Sequence, residues 1–159
     1  MCIGIKESLN DFSIKAPSTI GDLFTATGTV YLTKQELDEF YYALLLVEEQ
    51  LNKDNIDMKT IHPFIIIFTA NGSFTVESKS KLLGGVTIGT IIYVMDFIRS
   101  LQFLNYRLAI YIEELCHHLW NICDETEVKY KVLQIMHQML QDLQITDIYI
   151  DGVKYVRDK

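Results

Sequence analysis

Apolar residues recur at spacings of three and four along Leu37, Phe40, Tyr41, Leu44, Leu45, Val47 and Leu51. Such a stripe predicts a helix with one buried face. Thr33-Lys34-Gln35-Glu36 supplies its start: in a capping box the Thr hydroxyl takes an orphan N–H and the Glu reaches back to the cap. The helix is expected from Thr33 to about Asn52, ahead of the polar run Lys53-Asp54-Asn55. The period then changes. Pro63 to Phe68 is a run of β-branched and aromatic residues, and Phe74-Thr75-Val76-Glu77 alternates. Asn71-Gly72 lies between them, which predicts a hairpin, because both central residues of a type I′ turn need positive φ. Beyond Gly84-Gly85, the segment Val86 to Val94 reads as a third strand.

The pattern turns helical again from about Leu104 through Trp120. After the link Asn121-Ile122-Cys123, the acidic start Asp124-Glu125-Thr126-Glu127 opens another helix, expected to run to about Leu143. Asp151-Gly152 suggests a terminal hairpin over 146–157. Ala16-Pro17-Ser18 and Gly21 break any periodicity in residues 1–27, which read as a loosely structured arm, followed by a short strand from Thr29 to Leu32. The expected fold is α+β: one domain, with a small antiparallel sheet of at least three strands packed with three helices.

Composition narrows the functional classes. With 49% apolar residues, the 159-residue chain can build a core without disulfides. A formal charge of −7, with scattered Lys and Arg, disfavours nucleic acid. The longest apolar stretches, Pro63 to Phe68 and Ile88 to Met95, fall far short of the ~20 residues that span a bilayer. The opening residues show no charged region followed by an apolar run, so no signal peptide is expected. Cys2, Cys116 and Cys123 cannot all pair with one another. Reduced thiols and a cytoplasmic location are the simplest reading.

Candidate chemistry concentrates in Tyr111-Ile112-Glu113-Glu114-Leu115-Cys116-His117-His118-Leu119-Trp120. On a helical wheel Leu108, Ile112, Leu115 and Leu119 cluster on one side, and Glu113, Glu114, His117 and His118 fall on the other. Ile110 and Tyr111 lie among them, which points to a sheltered recess. Residues three or four apart on a helix are neighbours, so Glu113 or Glu114 with His117, and Glu114 with His118, can share an ion. Carboxylate with imidazole suits zinc, iron or manganese. Asp124, Glu125 or Glu127 of the next helix can add a third ligand. The plainer reading has equal standing. The same residues make ordinary helix-surface pairs worth a few tenths of a kcal/mol, and Asp124 with Glu127 makes a helix cap.

Glu113-Glu114-Leu115-Cys116-His117-His118 resembles the zincin motif His-Glu-x-x-His, with Glu113 in place of the first His. The order of elements over residues 33–143 is also similar to compact zincin-like metallopeptidases. The resemblance implies a general base at Glu114 and metal ligands at Glu113 and His117, with Glu125 or Glu127 as the third. His118 is kept as a further candidate ligand through its spacing from Glu114. A peptide substrate would follow from an intact activity, whereas a Glu/His/Glu set makes zinc a weaker Lewis acid. The alternative is a non-catalytic interaction protein of the bacterial or phage cytosol, an inhibitor docking on a basic partner surface. His62 reads as a turn residue, His137 as a surface or partly buried one, and Trp120 as a core anchor. Cys116 leans towards the core rather than towards His117.

Overall fold

The computed structural model describes residues 3–5, 8–9, 13–78 and 89–149. Helix α1 (Lys34–Lys53) begins as its cap predicts. The Thr33 hydroxyl accepts the Glu36 N–H at 3.2 Å, and the Glu36 carboxylate accepts the Thr33 N–H at 2.7 Å. Both orphan donors are satisfied at once. Replacing Thr33 with alanine should therefore lower stability by about 1 kcal/mol in urea unfolding; an unchanged midpoint would remove the cap from the account. The α1 stripe buries Phe40, Ala43, Leu44, Val47 and Leu51 against the rest of the core.

The sheet differs from expectation. Strands β2 (Phe24–Gly28), β3 (Phe64–Thr69) and β5 (Gly89–Val94) form a three-stranded sheet in the order β2-β3-β5. Both pairings are parallel, with Phe24 opposite Phe64 and Phe64 opposite Gly89. The antiparallel sheet expected from sequence is thus overturned, and the fold is α/β. Antiparallel pairing is confined, among the described residues, to the short strands β1 (Ile3–Ile5) and β4 (Val76–Ser78).

The physical reason lies at Asn71-Gly72. Gly72 takes φ 83°, but Asn71 is not in the left-handed region, so the type I′ geometry is absent. The Thr69 hydroxyl accepts the Gly72 N–H at 2.7 Å, and the Asn71 side chain accepts the Ser73 N–H at 3.1 Å. The chain therefore turns through an Asx-type bend and leads away from β3. Both edges of β3 are already taken, and its near-continuous burial is that of a central parallel strand.

Other boundaries shift too. The expected loose arm of residues 1–27 contains most of β2, and Thr29–Leu32 is a connection rather than a strand. Of the expected strand Val86–Val94, residues 86–88 lie outside the described ones. Helix α2 (Met95–Ser100) follows β5 directly and adds a fourth helix to the expected three. Helix α3 (Leu104–Leu119) is as predicted, whereas α4 (Glu125–Met136) stops short of Leu143. The expected hairpin over 146–157 begins instead in a 3-10 turn, Ile145–Asp147, and its part beyond Tyr149 lies outside the described residues.

The inner face of the sheet presents Phe64, Ile66, Phe68, Ile91 and Tyr93 to the core. Phe40 of α1 sits edge-on to three aromatic rings, those of Phe68 at 5.2 Å, Tyr93 at 5.5 Å and Tyr111 at 5.2 Å. The Tyr93 hydroxyl donates to the Tyr111 carbonyl at 2.8 Å, which ties β5 to α3. Two Arg–Glu pairs fasten the later helices to α1: Arg99 with Glu36, and Arg107 with Glu39, both at 2.7 Å. The Arg107 hydrogen bonds hold Glu39 below the usual carboxylate range. Among the described residues, no helix is long and apolar enough to cross a membrane.

Candidate metal centre

Helix α3 is apolar nearly all round because it is packed on several sides. It touches α1, α4 and β5, and it buries Leu108, Ala109, Ile110, Tyr111, Ile112, Leu115, Cys116 and Leu119. The carboxylates and imidazoles of its C-terminal half consequently meet different neighbours. Glu113 and His117, one turn apart, meet α4. His118 instead lies against the sheet, its ring 4.2 Å from that of Phe64 and its Nε2 3.2 Å from the His62 carbonyl. A Cβ at residue 89 would stand 2.7 Å from the His118 ring, so glycine there is what lets the imidazole rest on β5. Glu114 is half-buried and sits on the Tyr93 side. Burial first, and then the Glu114 charge, push the Tyr93 phenol above its usual range.

The link to α4 sets the other half of the centre. Asn121 adopts φ 53°, a left-handed residue just past the helix end, where asparagine is tolerated. The chain doubles back so that the Ile122 carbonyl lies 2.6 Å from His117 Nδ1. Asp124 then caps α4 by accepting the N–H groups of Thr126 at 3.0 Å and Glu127 at 2.8 Å. That cap fixes the rotation of the first turn and directs Glu125 to His117, with Oε1 3.9 Å from Nε2. The ligand atoms of Glu113, His117 and Glu125 all lie within 4.8 Å of one another, a group that can hold a metal ion.

The three groups run from deep to open. Glu113 is only 2% exposed, His117 is half-buried and Glu125 is exposed. The Tyr149 hydroxyl donates to Glu113 Oε2 at 2.7 Å. Lys129, buried at 5% exposure, places Nζ 3.4 Å from Glu125 Oε2 and 5.4 Å from the centre of the Tyr149 ring. Burial pushes the Glu113 carboxyl up to about 8, against the opposing pull of the Tyr149 hydrogen bond and the Lys129 charge.

Of the residues singled out from sequence, the structure brings Glu113 and His117 together and joins Glu125 to them. His118 belongs to the packing of the sheet. Glu127 is exposed, and its N–H serves the Asp124 cap. Both stand outside the cluster, as does Glu114. His137 hydrogen-bonds the Leu143 carbonyl at 2.8 Å. Cys116 is fully buried, and that burial raises its thiol above the usual range. Sequence reasoning missed Lys129 and Tyr149. The spacing of Glu125 and Lys129, four apart, was a usable signal, whereas nothing local marks Tyr149. His117 also lines a cavity of about 570 Å³ with Thr60, His62, His118, Trp120 and Asn121. Comparison with protein families, curated proteins and solved structures finds no match for the chain.

Proposed function

We propose that this protein binds a divalent transition-metal ion, with zinc the best fit, through Glu113, His117 and Glu125. The observation that carries the proposal is the contact between His117 Nδ1 and the Ile122 carbonyl. A carbonyl can only accept, so the 2.6 Å contact with Ile122 requires the proton on Nδ1. In the neutral ring the free lone pair is then on Nε2, 3.9 Å from Glu125 Oε1, in a group whose ligand atoms, Glu113's included, lie within 4.8 Å of one another. Metal-bound histidines are commonly oriented in this way, with the second nitrogen donating to a carbonyl. One imidazole and two carboxylates suit zinc, and also iron or manganese. Two ionised carboxylates match a 2+ charge. Tyr149 orients the deep carboxylate through its hydroxyl. Glu114 stands apart from these ligands, so the proposal is of ion binding and not of peptide hydrolysis.

Elemental analysis of untagged protein, purified without chelator and then loaded with zinc and dialysed, tests this directly. About one equivalent is expected. His117→Ala should weaken zinc binding at least tenfold in titration calorimetry, since second-sphere partners alone are worth about 10–100-fold. Trace metal far below one equivalent after loading would end the proposal.

A further inference from the structure

Among the groups around the centre, Lys129 is out of place for a metal site, because it brings a positive charge to the edge of a cation pocket. It sits one turn after Glu125 on α4, buried at 5% exposure, with Nζ 3.4 Å from Glu125 Oε2. Buried lysines are rare unless paired, and here one of the proposed ligands, Glu125, is a partner. The Tyr149 ring lies 5.4 Å from Nζ, and the same residue's hydroxyl holds Glu113. The ammonium is thus packed between the open carboxylate and the side chain that orients the deep one.

We propose that Lys129 is a tethered competitor for the metal. In the arrangement described, its ammonium supplies the positive charge that Glu125 needs. Lys129 holds Glu125 Oε2 while Oε1 faces His117, so a divalent ion taken up by Glu113, His117 and Glu125 must share that carboxylate with the ammonium and tolerate its repulsion. Lys129 therefore raises the concentration of free metal at which the site fills, and it keeps the Glu125 carboxylate compensated below that level. This inference rests on the metal-binding proposal. It adds a threshold to it.

The test is zinc titration of the full chain by calorimetry, at one pH and ionic strength, on the parent, Lys129→Met and Lys129→Arg. Methionine keeps the length and apolar stem while removing the charge. Arginine keeps a charge that cannot be shed. Lys129→Met should bind zinc about tenfold more tightly or better, and zinc should raise its melting temperature more than the parent's. Lys129→Arg should bind no more tightly than the parent. Equal or weaker binding in Lys129→Met, with the parent still binding one equivalent, overturns the competitor role and leaves the metal site standing. Tighter binding in Lys129→Arg overturns it too, and Lys129→Gln, which also removes the charge, is read in place of Lys129→Met if that variant fails to fold. Binding seen only in Lys129→Met supports the inference in its strongest form. Binding by none of the three removes the metal site itself, and the competitor with it.

Discussion

Glutamine in place of Glu113 should flatten the pH dependence of stability in chelator-treated protein. The Glu113 carboxyl has an ordinary value of 4.5 and is raised to about 8 in the fold, chiefly by burial. Between those values the folded state keeps a proton that the unfolded state releases. Stability contributed by this group is thus fully present below pH ~4.5 and is lost as pH climbs through ~8. Because the residue is only 2% exposed, solvent screening discounts little of this. The loss amounts to a few kcal/mol, at about 1.4 kcal/mol for each tenfold change. Glutamine mimics the protonated acid and still offers Tyr149 an acceptor. Urea unfolding at intervals from pH 5 to 9 should show the parent declining more steeply than Glu113→Gln. Parallel curves would show that Glu113 does not carry the effect. Zinc should restore the parent increasingly as pH rises, since a metal needs the ionised carboxylate, and should do little for the variant.

Truncating Phe40 to alanine should cost more than any surface change. Its ring is fully buried and meets Phe68, Tyr93 and Tyr111 edge-on. Large-to-small changes of this kind cost about 3–5 kcal/mol in all, and three aromatic edge contacts place Phe40 towards the upper end. Against a total stability of about 5–15 kcal/mol, that is enough to leave the chain partly unfolded at 37 °C. Phe40→Leu should recover at least half of the loss. A measured cost below about 1 kcal/mol for the alanine variant would mean that Phe40 does not anchor this core.

The parts legible in the sequence were those written locally. The Thr33 box and the stripe from Leu37 to Leu51 placed α1 to within about a residue at each end, because cap and period are both short-range properties. The Glu113–His117 pair was visible through its four-residue spacing. The same spacing also marked Glu114 with His118, and no wheel shows that a helix packed on several sides sends adjacent pairs to different neighbours. The choice between Glu125 and Glu127 depended on the Asp124 cap, whose rotation of the first turn needs coordinates. The sheet was misread because Asn71-Gly72 is a strong local hairpin signal, while parallel pairing leaves almost none. What did mark it was the unbroken apolar run from Phe64 to Phe68, the pattern of a strand covered on both faces. Strand β2 escaped because Gly21 and Gly28 enclose only a few alternating residues, Phe24-Thr25-Ala26-Thr27. Tyr149 was out of reach for the same reason as the sheet: its partner is fixed only when distant segments meet.

The parallel ladder also bears on how the chain reaches its native state. No rung between β2, β3 and β5 joins sequence neighbours; Phe24 must find Phe64, and Phe64 must find Gly89, across dozens of intervening positions. Entropy of loop closure is spent before any of these contacts gives a return. Among the described residues these three strands offer no hairpin to nucleate on, so α1, whose cap and period are local, is the natural early element. Folding is therefore expected to be slower than in a helical bundle of the same length.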